Sequence, residues 1–284
     1  MLRKWLLSLI VLIPTVAFAA DKWEPIPALK RVTTNGRKVA SQTITKGGCT
    51  VNVAPSPGGA FLTFTCPETA WQLYVRNTDK GLQVRRAELR RTPAGNFMRV
   101  LYEANIAEIF VPYHDGDPEH RLSDNQFCHS AVCIREVTAQ DIAGATAQLI
   151  TMSGDTKPTA AVEIRDRGLA WMCKWGTGSH SRRGQEMVIW GTWDTGNYDY
   201  IIEYSFRDDG QMSFRLGATG WDNPNYSPGL AHMHDILWRV DVDLNGDLDD
   251  SALLESHDEV GLVGVDSEVT FNNGVEGGAV LNPV

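Results

Sequence analysis

Short stretches of alternating apolar and polar residues, repeatedly broken by Gly, Pro, Asn and Asp, constrain this chain most. The runs are Leu62–Phe64, Trp71–Val75, Leu82–Leu89, Met98–Ala104, Met187–Trp193, Tyr200–Phe206, Met212–Ala218 and Ile236–Val242. A period of two places every second side chain on one face, and breaks this frequent leave little room for helices. The pattern predicts a mainly β chain, an antiparallel sandwich or barrel rather than alternating α/β units. Asp208-Asp209-Gly210 reads as a hairpin turn, because Gly accepts positive φ. Glu136–Leu149 is the best helical candidate, although Thr and Gly within it weaken a helix.

The first residues read as an export leader. Arg3 and Lys4 precede an apolar stretch, Trp5 to Val16, and Ala17-Phe18-Ala19 is a small-x-small cleavage site. The stretch is too short and wrongly flanked for a stable membrane span. We therefore expect a signal peptide over 1–19 and a periplasmic or secreted mature chain. Residues 20–68 read as a small β-rich segment, and 69–284 as the main β domain. The chain holds 26 Lys and Arg against 35 Asp and Glu, a net charge of −9. Losing Arg3 and Lys4 with the leader makes the mature chain more acidic still. Such a balance disfavours nucleic acid as a partner and is compatible with cationic substrates.

Export also permits disulfides among the five cysteines. Cys49 and Cys66 close two strand-like runs around Pro55-Ser56-Pro57-Gly58-Gly59, which predicts a stapled hairpin unless one of them pairs elsewhere. An odd count leaves at least one thiol unpaired within the chain. Cys128-His129-Ser130-Ala131-Val132-Cys133 admits a small disulfide loop, a Cys/His metal cluster or a cysteine nucleophile.

Two strings carry chemistry. Thr195-Gly196-Asn197-Tyr198-Asp199-Tyr200 is followed by His232-Met233-His234. On a strand, residues i and i+2 share a face, so His232 and His234 can reach one metal, and imidazole suits copper and zinc. The bland alternative is two ordinary histidines and a core tyrosine with its hydroxyl satisfied. Ala107-Glu108-Ile109-Phe110-Val111-Pro112-Tyr113, Asn223-Pro224-Asn225-Tyr226-Ser227-Pro228-Gly229 and the Trp238–Asp243 run accompany them. Together, over about 69–284, these segments resemble the first part of the catalytic domain of the copper amine oxidases, which implies an antiparallel β-sandwich.

The resemblance implies specific roles. Tyr198, preceded by Asn197, matches the tyrosine that copper and oxygen convert into the topaquinone cofactor. His232 and His234 match two of three copper ligands. Tyr113 matches the tyrosine that hydrogen-bonds the quinone. Cys128 falls where the family carries its aspartate base, and a thiol acts as a base only if its pKa is depressed; Asp124 is the nearest alternative carboxylate. The third histidine lies beyond the end of this chain, leaving His257, His129 or another polypeptide as substitutes. The activity implied is oxidation of a primary amine by dioxygen to aldehyde, ammonia and peroxide.

Asp241-Val242-Asp243-Leu244-Asn245-Gly246 looks like the opening of an EF-hand loop, but position twelve is Ala252, where a bidentate Glu is required. Some family members hold a peripheral calcium at an Asp-x-Asp here, so Asp241 and Asp243 are a candidate calcium site by resemblance; a solvated acidic turn is the alternative. The resemblance also implies a homodimer, although the shortness of the chain removes arms that such dimers use. Two rival readings stand beside the oxidase: an exported copper-binding or non-oxidase protein that keeps the fold, and an incomplete or inactive polypeptide.

Overall fold

The computed structural model describes residues 33–34, 37–38, 42–112, 120–121, 133–176, 178–195, 198–221, 232–244, 252–256 and 267–271. Almost all regular structure is antiparallel strand, and the described residues lie in one compact unit, Arg31–Val284. The proposed leader lies outside the described residues. Among the described residues no helix is long and apolar enough to cross a membrane.

Two sheets carry the core. The larger is built from β3 (Gln42–Lys46), β4 (Cys49–Ser56), β5 (Gly59–Thr65), β6 (Ala70–Thr78), β7 (Gly81–Arg90), β8 (Met98–Val111) and β15 (Asp235–Asp241). Its order is β15-β8-β7-β6-β5-β4-β3, with the short β9 (His120–Arg121) also paired to β8. The smaller sheet runs β10-β11-β12-β13-β14, made of Ala147–Ile150, Ala160–Trp175, Gly178–Asp194, Tyr198–Arg207 and Met212–Gly220. Two isolated hairpins, β1–β2 (Thr33–Thr34, Arg37–Lys38) and β16–β17 (Ala252–Ser256, Ser267–Phe271), complete the list. The larger sheet runs without a break across residue 68, since β5 and β6 are hydrogen-bonded neighbours.

Alternation decides which side chains meet between the sheets. Cys49, Val51 and Val53 of β4, Leu62 and Phe64 of β5, and Trp71, Leu73 and Val75 of β6 are buried from one side. Tyr200, Ile202, Tyr204 and Phe206 of β13 are buried from the other. In β7 the inward set changes parity, from Leu82 and Val84 to Ala87 and Leu89, at Arg86, whose φ is 52°. That is the effect of a bulge: one extra residue turns the following side chains over. A similar shift in the β15–β8 pairing falls at Ala107. The Lys80 ammonium donates to the Ala107 carbonyl oxygen at 2.9 Å.

The sheets are also joined by polar contacts. The Tyr204 hydroxyl donates to the Leu82 carbonyl oxygen at 2.6 Å and lies 3.2 Å from that of Ala104. Burial holds its ionisation far above the ordinary phenol range. Trp71 donates from its indole to the Arg207 carbonyl oxygen at 2.7 Å and packs edge-on against Phe206. Gly81 has φ of +89°, a conformation that L side chains rarely adopt, and a Cβ there would stand 2.3 Å from Ile202 Cδ1, so the β6–β7 turn favours glycine and Ile202 would have to shift for any other residue.

Two local expectations meet different outcomes. The Cys49–Cys66 disulfide is present and staples the β4–β5 hairpin, with the Cα atoms 4.2 Å apart. Glu136–Leu149 is not a helix. Successive four-residue turns run from Thr138 to Ala145, with Asp141 N bonded to Thr138 O, Ala143 N to Gln140 O and Ala145 N to Ile142 O. The Asp141 carboxylate accepts from the Thr138 N–H and hydroxyl, which holds its pKa below the usual carboxylate value. Gly144 takes φ of 79°, and Ala147–Ile150 then pair with Ala160–Glu163 as an edge strand. The tertiary ladder offered by β11 outweighs a weak helical propensity.

Candidate functional site

Tyr198 opens β13, an interior strand of the smaller sheet, between β12 and β14. Its place is fixed locally. Thr195 donates from both its backbone N–H (2.9 Å) and its hydroxyl (2.8 Å) to the Tyr198 carbonyl oxygen, closing the turn between β12 and β13. Arg135 clamps the same turn from outside. Its guanidinium reaches Asp199 at 3.0 Å and Asp194 at 3.1 Å, and its N–H donates to the Thr192 carbonyl oxygen. The hydrogen bond to Asp199 is the main reason its pKa is raised.

His232 and His234 come from the opposite sheet. They do not lie within a strand, as the i, i+2 argument supposes; they lead into β15, which begins at Asp235 and pairs with β8. The two rings still fall together, with centroids 5.0 Å apart. The Tyr198 hydroxyl is 2.9 Å from His232 Nε2, and the Tyr200 hydroxyl is 2.8 Å from His234 Nδ1. Tyr198 also meets the His234 ring edge-on, with centroids 4.6 Å apart and planes at 82°. The larger and smaller sheets thus meet at one end in two tyrosine–histidine pairs. Tyr200 is fully buried, while Tyr198, His232 and His234 are half-buried.

Imidazole nitrogen beside phenol oxygen is a donor set that suits copper(II), and two of the expected ligands stand together. No third imidazole joins them among the described residues. His180 is exposed on the β11–β12 hairpin, opposite Cys173. The described residues do contain a grouping of Cys49, Cys66 and Asp208, but its two sulfurs are joined to each other, which removes the thiolates a metal would need.

Other predicted residues are placed differently. Tyr113, Cys128 and Asn197 lie outside the described residues; β8 ends at Val111, two residues before Tyr113. Cys133 is disulfide-bonded, so it offers neither a thiolate ligand nor a nucleophile, and Cys173 is the free, exposed thiol among the described cysteines. Asp243 is buried and ion-paired to the Arg99 guanidinium. A calcium ion on that carboxylate would have to share it with the guanidinium or displace it.

Sequence reasoning missed Arg135 and the part played by Tyr200. Tyr200 carried a signal, since i and i+2 on a strand share a face and its neighbour Tyr198 was already singled out. Arg135 carried none: it lies 64 residues from Asp199 in the chain.

No family model matches the chain. Primary amine oxidase 2 of Arabidopsis thaliana is 21% identical over 216 residues, covering 62% of this chain and 32% of that protein. The crystal structure of a copper-containing benzylamine oxidase from Hansenula polymorpha matches with a TM-score of 0.51 and 18% identity, over 74% of this chain and 37% of that one. The Pichia pastoris lysyl oxidase structure matches with a TM-score of 0.51 and 17% identity, over 74% and 32%. The chain therefore has a copper amine oxidase-like antiparallel β-sandwich fold, and it spans between 32% and 37% of the length of these relatives.

Proposed function

We propose that this chain is an exported, short form of the copper- and topaquinone-dependent primary amine oxidases, with Tyr198 as the residue converted to the quinone. The observation that carries the reading is the Tyr198 hydroxyl held 2.9 Å from His232 Nε2 with His234 against its ring. His232 and His234 would hold the copper. The quinone would supply the electron sink for oxidising an amine.

The chain's own residues do the rest. Thr195 and Arg135 hold the start of β13 so that the Tyr198 ring faces the two imidazoles. The sheets exclude water from its inner side, where Tyr200 and Trp193 are buried. Tyr113 would orient the oxidised ring by hydrogen bonding. Cys128 stands where the family's base is expected, and a base contributes about 10²–10⁴-fold to rate. The substrate class is primary amines, with dioxygen as oxidant, and a homodimer is the proposed assembly. The leader over 1–19 would deliver the protein to the periplasm or the exterior.

The test is to express the mature chain without metal, add copper(II) in air, and stain for quinone by redox cycling or phenylhydrazine. A signal that Tyr198→Phe abolishes is expected. Full copper loading with no quinone would sink the oxidase reading and leave the second one, a copper-binding protein that keeps the fold. The cysteine in place of the aspartate base favours that second reading.

A further inference from the structure

We infer that Tyr200 is a positioning residue: its buried hydroxyl accepts the Nδ1–H of His234 and so leaves the ring's lone pair on Nε2. This rests on the copper reading for its purpose, though not for its geometry.

A neutral imidazole carries one N–H and one lone pair, on opposite sides of the ring, and whatever contacts one nitrogen decides what the other can do. The two tyrosine–histidine pairs look alike but engage different nitrogens. His232 turns Nε2 toward the Tyr198 hydroxyl, whereas His234 turns Nδ1 toward the Tyr200 hydroxyl. The second contact is the more rigid. Tyr200 is 0% exposed and its backbone is paired with Trp193 on one side and Ala218 on the other. The edge of Tyr198 holds the His234 ring from a second direction. His234 is therefore held through Nδ1 by a buried group on an interior strand.

A tyrosine hydroxyl can donate or accept. If it donated, the imidazole proton would sit on Nε2 and that nitrogen could not ligate. If it accepts, Nε2 keeps its lone pair. Only the second arrangement lets both histidines of the pair serve one metal. It also divides the labour: the Tyr200–His234 contact anchors a ligand, and the Tyr198–His232 contact brings the phenol to the other ligand. Hydrogen-bonded partners of ligating histidines commonly control metal affinity by about 10–100-fold.

The experiment uses the full mature chain labelled with ¹⁵N-histidine. In the metal-free protein, long-range ¹H–¹⁵N correlations should show His234 as the Nδ1–H tautomer, and Tyr200→Phe should shift it toward Nε2–H. An Nε2–H tautomer in the unsubstituted protein overturns the inference, and that spectrum requires no variant to fold. Copper(II) titration followed by electron paramagnetic resonance should then show Tyr200→Phe binding about 10–100-fold more weakly, with altered copper hyperfine splitting and an unchanged circular dichroism spectrum. Equal affinity in both proteins overturns the inference. If the unsubstituted protein takes up no copper, the proposed function fails, and the tautomer measurement alone decides the role of Tyr200.

Discussion

Strand β13 carries tyrosine at both ends of one face, and the two ends differ. Toward the middle of the sandwich, Tyr204 gives its hydroxyl proton to a main-chain carbonyl of β7, and Trp238 and Phe214 pack edgewise on its ring. At the opening of the strand, Tyr198 and Tyr200 meet imidazoles instead. The residue type, strand and face are the same. Carbonyl oxygens cannot change protonation state near neutral pH, so Tyr204 is locked as a structural phenol. Imidazoles can bind a metal or exchange a proton, so the other two phenols sit where chemistry is available. Partner identity, not tyrosine itself, separates scaffold from candidate site.

Five substitutions press on that contrast. Phe206→Ala, at the buried end, should be the most damaging to stability, by about 3–5 kcal/mol in denaturant unfolding, because it empties space against Trp71. Copper uptake by the fraction that stays folded should be unchanged; coupled loss of copper binding would mean that the two ends are not separable. Tyr204→Phe should cost about 1–3 kcal/mol, since a buried carbonyl loses its donor, and should leave quinone formation intact. Tyr198→Phe should show the mirror image, with quinone lost and the thermal midpoint nearly kept. If Tyr204→Phe also abolished the quinone, the contrast would fail.

Arg135→Met addresses the clamp on the turn before Tyr198. The arginine is half-exposed, so stability should change by less than about 1 kcal/mol, while quinone formation should slow as the turn loosens. An unchanged rate would restrict the clamp to a surface ion pair. The smallest effect concerns pH. Glu186, on the smaller sheet, is buried beside Arg167, and desolvation raises its pKa above the ordinary glutamate value. The native state therefore keeps this proton to higher pH than the unfolded chain does. Its contribution is favourable at low pH and is lost as pH rises from the ordinary value through the raised one. Glu186→Gln should flatten that slope in denaturant midpoints measured across the acidic range, without moving the pH profile of any site signal.

Much of this arrangement was legible in the sequence. Period-two runs and Asp208-Asp209-Gly210 locate the strands, and the spacing of cysteines around Pro55–Gly59 locates the stapled hairpin, because each depends on neighbours in the chain. The exceptions depend on partners far away. Glu136–Leu149 has mild helical character that yields to an edge pairing with β11. His232 and His234 look like strand residues, yet they stand just ahead of the strand; their common side comes from the tyrosines opposite. The pairing of Asp243 with Arg99, 144 residues distant in sequence, had no local signal either. Arg135 and its two aspartates follow the same rule.

The tyrosine–histidine contacts join β13 of one sheet to the segment entering β15 of the other. Their hydrogen bonds therefore act as a caliper across the sandwich. A small slide of one sheet over the other, caused by a substitution at the Gly81–Ile202 contact between them, would open or close the caliper. The absorbance or spin signal of whatever forms at Tyr198 would then report the packing of the entire molecule.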